Sequence, residues 1–315
     1  MRHIKPPAIL PVLIGSLIPG DLAMAFSHKV LALCLAACGL QACGGSSGST
    51  GSAVVTQPVN GTFTSTGIAV SAATTTDPAT GTVKFSEAAP TSGPVLEFDI
   101  ENDVLVAIRV DDSVVDIDLD LTDPTTQFAS LPNGLAIANA DMSTVAVFGF
   151  DDRRNFEFQS YGAWMDMGPG TARTVGSGSF GDATSTATLP SGGIQYRGAG
   201  TGIFQSDTGE TFATSMEVSF AVNRLRMGID FLSDKTVGVN LNTGATVDLS
   251  NLDIPLGRGI IVGDTFLIEE ILFDDEFRVG FITGGFYGPE AEEAGGVFAL
   301  RNGTSSHIGS FGAAR

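Results

Sequence analysis

Short runs of alternating apolar and polar residues, separated by Gly-, Pro- and Asn/Asp-rich breaks, extend from about residue 59 to the end of the chain. Residues 95–100 and 104–110 flank Glu101-Asn102-Asp103, which reads as a hairpin turn. Residues 115–121 alternate strictly, so one face is apolar and the other carries Asp116, Asp118 and Asp120. Residues 144–149 form a further strand. From about Asn155 the rhythm lengthens, with predicted strands at 156–164, 191–202, 212–221, 224–231, 237–241, 259–266 and 267–273. A closing pair follows. Its first strand ends at Phe286-Tyr287, and Gly288-Pro289 breaks it because proline fixes its own φ and offers no ladder donor. Glu290 to Glu293 make a polar corner, Gly295-Gly296 turn the chain back, and residues 297–300 form the partner strand. Glycines inside a strand weaken it unless backbone or large side chains approach there. Here they stand beside Phe281, Phe286, Tyr287 and Phe298, which suits the seam of a small, tightly curved barrel. The prediction is an all-β chain: a β-rich subdomain over 58–150, then an eight-stranded antiparallel barrel over 151–315, counted with latitude at Val237.

The closing stretch carries a resemblance. The run Gly285-Phe286-Tyr287-Gly288-Pro289-Glu290-Ala291-Glu292-Glu293-Ala294-Gly295-Gly296-Val297-Phe298 resembles the closing signature of the transferrin-binding-protein-type β-barrel lipoproteins. Two further stretches fit the same family. Residues 156–164 resemble the Tyr-Gly-x-Trp strand that opens its barrel, and residues 191–202 resemble its aromatic-glycine strand. The signature identifies a barrel and not a ligand. The resemblance implies a smaller handle-like subdomain before the barrel. It also implies capture of an iron source or host protein, with cargo handed to a TonB-dependent transporter in the same membrane. True transferrin receptors of this type have two handle-plus-barrel lobes, whereas this chain has one. The expected cargo is therefore haem, a haemoprotein or another small solute.

The N-terminal region reads as targeting rather than fold. Residues 8–19 are apolar but interrupted by Pro11 and Pro19, too short for the ~20 residues a spanning helix needs. Met24-Ala-Phe-Ser-His-Lys29 begins an ordinary signal sequence, so Met24 is a candidate start. The apolar run after Lys29 ends in a stretch resembling a bacterial lipobox. Two cysteines fit it. Leu40-Gln-Ala-Cys43 has the fuller apolar run and leads straight into a Gly/Ser/Thr tether; Cys38 is the alternative. The expectation is a signal over 1–42, then a lipidated Cys43 and a flexible tether over 43–57. The resemblance implies a diacylglyceryl thioether and an acylated amine, hence an outer-membrane lipid anchor. More than one acyl chain makes such anchoring stable. No strand is long enough, or apolar enough on its outer face, for a membrane-spanning barrel.

Composition excludes several function classes. The chain has 315 residues and a formal net charge of −19; beyond residue 42 there are 13 basic and 34 acidic side chains. A nucleic-acid binder needs a basic stripe, and none is present. Cys34, Cys38 and Cys43 are the only cysteines, so a part that starts at Cys43 has no thiol for disulfides, zinc or a nucleophile. Beyond the signal, His307 is the only histidine, in a Ser/Gly tail where it reads as a solvent-facing edge residue. No nucleophile elbow accompanies it, and the expectation is a protein without catalytic activity. Gly176-Ser-Gly-Ser-Phe-Gly181 matches a dinucleotide fingerprint by letters, but no helix follows to hold a pyrophosphate, so it reads as a loop. Asp116, Asp118 and Asp120 lack the glycine and glutamate of a calcium loop and read as a solvated face, and Asp274-Asp275-Glu276 reads as a turn.

The candidate ligand-binding residues are Tyr161, Tyr196, Tyr287 and Trp164. Tyrosinate ligates haem iron, so the three tyrosines are the candidates if haem is the ligand. Trp164 with Met165 and Met167 suits either an exposed binding edge or core packing. A structural or adhesive envelope protein, using its barrel to hold another protein, is the alternative reading. A deep aromatic pocket favours the first; a filled barrel with an apolar outer patch favours the second.

Overall fold

The computed structural model describes residues 60–76, 83–91, 94–111, 116–150, 156–167, 174–185, 193–223, 228–272 and 279–315. These form two antiparallel sheets. The first is built from β1 (Gly61–Thr76), β2 (Val83–Phe85), β3 (Ala89–Thr91), β4 (Val95–Glu101), β5 (Val104–Asp111), β6 (Asp116–Asp120), β7 (Gln127–Leu131), β8 (Gly134–Ala138), β9 (Thr144–Gly149), β10 (Gln159–Asp166) and β11 (Thr174–Gly181). Its order is β6-β5-β4-β1-β11-β10-β9-β8-β7, with β2 and β3 paired to β1 off this path. The long β1 changes partner along its length, pairing with β4 through Thr66 and with β11 from Gly67.

The second sheet closes. It comprises β12 (Gly193–Gln205), β13 (Thr211–Asn223), β14 (Gly228–Asn240), β15 (Thr246–Asp248), β16 (Leu256–Val262), β17 (Thr265–Leu272), β18 (Val279–Tyr287), β19 (Glu293–Asn302) and β20 (Ser305–Ala314). β12 pairs with both β13 and β20, and β13 pairs with β14. With β16 to β19 between, eight strands form an antiparallel barrel, as the sequence predicts; β15 lies beside β14 outside the ring.

Alternation explains how the two sheets share one molecule. On β10, Trp164 points into the curl of the first sheet, where it packs with Phe98, Phe148 and Phe180. Ala163 and Met165 point the other way, onto outward-facing Ile203, Val297, Ala299 and Ile308 of the barrel. The central strands of the first sheet are therefore buried on both faces, and the barrel wall beneath them is buried from inside and outside.

Several sequence expectations are corrected. The strand at 156–164 does not open the barrel: its core is β10, which pairs with β9 and β11 in the first sheet. A strand buried on both faces carries no periodicity that says which sheet it joins. Residues 237–241 are no separate strand, because β14 runs through to Asn240 with a bulge opposite Ser215 and Glu217. The strand that completes the ring is β20, which pairs with β12 and β19 at once. Gly176–Gly181 is part of β11 and not a loop, with Gly176 and Gly178 lying under Trp164 and Phe180. The turn-back falls at 288–292, where Gly288 and Ala291 have φ of +86° and +60°, while Gly295 and Gly296 pair in-strand with Gly285 and Gly284. Glu293 accordingly begins a buried strand and is not part of a polar corner.

Other expectations hold. Asn102 and Asp103 have φ of +51° and +66°, the left-handed pair of a tight hairpin turn. Ile117 and Leu119 are buried while Asp118 and Asp120 are exposed. The targeting segment, Cys38, Cys43, the tether and 274–276 lie outside the described residues.

Candidate functional site

The barrel interior is filled by its own side chains. Phe220 sits at the centre, stacked on Tyr196 at 4.9 Å between ring centroids and 6.0 Å from both Phe266 and Phe311. Phe231 meets Phe311 at 5.0 Å, and Phe286 meets Phe266 at 5.8 Å. Small residues on facing strands make room for these rings. A Cβ added at Gly284 would lie 2.4 Å from Phe266 Cζ, and one at Gly309 2.3 Å from Phe298 Cζ. This is the packing reason for the Gly/Phe interleaving of the sequence. At the other end, Phe204, Phe212 and Leu252 form a small apolar cluster. Leu252 comes from a 3-10 turn at Ser250–Leu252.

His307 lies at this end, inside the barrel. It is buried at 2% exposure, with Nε2 2.9 Å from Thr214 Oγ1 and its ring edge-on to Phe298 and Phe204. The expectation of a solvent-facing edge residue is thus corrected. A Ser/Gly tail reads as an edge locally, but β20 is enclosed by pairing on both sides.

The candidate ligand residues are not brought together. Tyr196 is inside the barrel, where its hydroxyl donates to the Ala291 carbonyl at 2.7 Å and so braces the 288–292 turn. Tyr287 faces outward, with its hydroxyl 3.0 Å from Ser179 Oγ and 3.2 Å from the Ser179 carbonyl. Tyr161 is fully buried between the two sheets, its ring wedged where a Cβ at Gly149 or Gly312 would stand. Trp164 is 1% exposed and faces the curl of the first sheet. Burial pushes the hydroxyls of Tyr196 and Tyr287 up to about 12, so both are neutral phenols at physiological pH. Axial tyrosine ligation needs a tyrosinate facing an open pocket. The positions of these tyrosines do not fit haem.

What the closing signature does is hold the first sheet against the barrel, a role the sequence alone does not reveal. Glu293 accepts backbone N–H groups of Glu157 at 2.5 Å and Phe158 at 3.2 Å. Gln159 Nε2 donates to the Ala294 and Ala313 carbonyls at 3.1 and 3.4 Å, and its side chain occupies the space above Gly295. Thr184 donates its hydroxyl to the Gly288 carbonyl at 2.6 Å, and Gly288 N–H donates to the Asp182 carbonyl at 2.9 Å. Ser177 and Ser310 donate across the same seam, to Gly309 and Gly162 carbonyls at 2.7 and 2.8 Å. Burial outweighs the two donated N–H bonds at Glu293 and raises its carboxyl from 4.5 to about 7.

Two further features lie on the surface. A groove of about 320 Å³ runs between Ser86–Ala88 of the first sheet and the outer wall of the barrel. Its lining includes Phe281, Ala299 and Ile308, and Arg301 joins the two units there by donating to the Phe85 carbonyl at 2.6 Å. Among the described residues, no Tyr, His, Met or Cys lines it. On the exposed face of β4, β5 and β6, Arg109 lies in register between Glu97 and Asp118. It bonds Glu97, reaches Asp99 at 2.7 Å and Asp118 at 3.4 Å. The Thr62 hydroxyl, 2.6 Å away, and then Arg109 hold Asp99 below the usual carboxylate range. The acidic face is therefore a charge-paired strand surface, and among the described residues no cluster of His, Cys, Asp and Glu has metal-holding geometry. Arg109→Gln is expected to lower stability by about 1 kcal/mol or less in urea denaturation, because these pairs are half-exposed. Millimolar calcium is expected to leave the melting temperature unchanged.

Residues 189–315 match the family model of the C-lobe and N-lobe β-barrels of Tf-binding protein B. Among solved structures, one similar chain is transferrin binding protein B from Haemophilus parasuis. It is 13% identical, with 82% of this chain and 78% of that chain covered and a TM-score of 0.42. A surface lipoprotein is 12% identical over 78% of this chain and 98% of its own, with a TM-score of 0.40. Transferrin binding protein B from serogroup B Neisseria meningitidis is 11% identical over 72% and 52%, with a TM-score of 0.39. No curated protein matches the chain significantly.

Proposed function

We propose that this chain, whose barrel over residues 189–315 belongs to the Tf-binding protein B family, is a non-catalytic binding lipoprotein of the outer-membrane surface. It captures an iron-carrying protein and passes the cargo to a TonB-dependent transporter in the same membrane. Cys43, or Cys38 in its place, carries the lipid anchor, and the tether of residues 44–57 sets the folded part off the membrane. We take β10 and β11 with the smaller subdomain, so that the division from the barrel falls between Gly181 and Gly193.

One observation supports a protein cargo over a small one. The barrel interior is occupied by Tyr196, Phe220, Phe231, Phe266, Phe286 and Phe311, so recognition falls to the outer surface. Sites for small ligands are concave and about 300–1,000 Å³. The groove at Phe281 reaches only the lower end of that range, and none of its described lining residues ligates haem iron.

The same observation suits the alternative, an adhesive envelope protein that holds another protein irrespective of iron. The two separate on one experiment. The intact protein is immobilised and exposed to iron-loaded transferrin, iron-free transferrin and haemoglobin, and a deletion strain is grown with each as sole iron source. Saturable binding of one iron carrier, with growth on it lost on deletion, supports the proposal. Absence of binding to all three, with unchanged growth, overturns it in favour of the adhesive reading.

A further inference from the structure

We propose that the outer wall of the barrel at β16 and β17 is a docking surface for a protein with an apolar contact centre and a basic rim. This deepens the protein-cargo reading above and rests on it. The first observation is continuity with an interface already described. One register row crosses the barrel wall from Val297 through Thr283 and Leu267 to Ile260. Val297 is fully buried under the first sheet, Thr283 and Leu267 are half-buried, and Ile260 is 56% exposed. Val262, two residues on and on the same face, is 63% exposed. The outward apolar band that the first sheet covers at β19 and β20 thus runs on past its cover. A solvated face of an antiparallel sheet carries polar residues in alternation. Two exposed β-branched residues, Ile260 opposite Leu267 and Val262 opposite Thr265, depart from that pattern.

The second observation is the charge around the patch. Asp230, Glu269 and Glu270 are exposed and Asp264 is half-exposed. Among the described residues around the patch the one cation is Arg258, which lies 3.6 Å from Asp230 and opposite Glu270 in the ladder. Among the described residues the rim is net acidic. Two copies meeting through this face would oppose like charges, and an anionic lipid surface would repel it. A partner with basic residues around an apolar centre complements it.

The test uses the intact protein and two synthetic peptides, one alternating Lys and Leu, the other alternating Glu and Leu, followed by calorimetric titration. The Lys–Leu peptide is expected to bind saturably, and less tightly in about 0.5 M salt because rim charges are screened. The double variant Ile260→Ser/Val262→Ser is expected to weaken it about tenfold or more. Both residues face solvent, so the melting temperature of the variant stays at the parental value. Equal binding of the two peptides, or binding untouched by the variant, overturns the docking surface. A concentration-dependent dimer in sedimentation, lost in the variant, also overturns it and assigns the face to a second copy. These outcomes are separate from iron-carrier capture. Peptide binding sensitive to the variant, in a protein that captures no iron carrier, leaves the surface standing and removes only the iron reading.

Discussion

Tyr161→Ala is expected to destabilise the protein by about 3–5 kcal/mol, the range for deleting a large buried aromatic side chain. The ring is fully buried between the two sheets and packs edge-on to Phe156 at 5.8 Å. It fills a slot left by two glycines: a Cβ at Gly149 would stand 1.8 Å from Tyr161 Cε2, and one at Gly312 would stand 2.5 Å from Cε1. Its loss opens a cavity in the seam that joins the subdomain to the barrel. Tyr161→Phe retains the ring and is expected to stay within about 1 kcal/mol of the parent. Gly312→Ala supplies a second arm. Alone it clashes with the ring; combined with Tyr161→Ala its cost is expected to shrink, a coupling of the kind seen between residues in contact. Urea denaturation of the parent and these four variants measures all of this. Additive costs, or a stable Tyr161→Ala, would remove Tyr161 from its place as the pin of the seam.

The second large effect belongs to Glu293 and appears as a pH dependence. Burial raises its carboxyl from 4.5 to about 7. Between those values the folded protein binds a proton that the unfolded chain does not, so this group's contribution to stability falls as pH rises. The contribution is fully present below about 4.5 and is lost as pH passes through about 7. A shift of this size corresponds to about 3 kcal/mol. Glu293→Gln cannot ionise. Its stability relative to the parent is therefore expected to rise by up to about 3 kcal/mol between pH 5 and pH 8. Parallel stability profiles for the two proteins over that range would contradict the assignment. Gain or loss of the contact itself is a separate matter, read at pH 5 where both side chains are neutral.

Local chemistry made part of this fold legible. The Asn102-Asp103 turn, the two faces of β6 and the break after Tyr287 follow from residue type and alternation, and the structure has all three. The Gly/Phe interleaving near the C-terminus pointed to a tight barrel, and the packing of Phe298 over Gly309 and Phe266 over Gly284 is its physical content. Partner choice was not legible. β10 is buried by its own sheet on one side and by the barrel on the other, so its pattern fits either sheet. His307 sits among serines and glycines, and it is pairing with the distant β12, on the side away from the neighbouring β19, that encloses it. Glu293 looked like one more acid in a polar run. Its burial depends on Glu157 and Phe158, 136 and 135 residues away in sequence. The tyrosines were sensible ligand candidates by residue type, and their hydrogen bonds and packing give each a structural task instead.

The central claim is that the barrel is a packed scaffold and recognition takes place on its outside. Titrating haemin into the intact protein at micromolar concentration, while following the Soret band, tests it most directly. The account predicts no saturable shift, in the parent or in Tyr161→Phe, Tyr196→Phe and Tyr287→Phe. A saturable shift in the parent that one of these substitutions abolishes would contradict it, and would make that tyrosine the ligand of a site inside the fold.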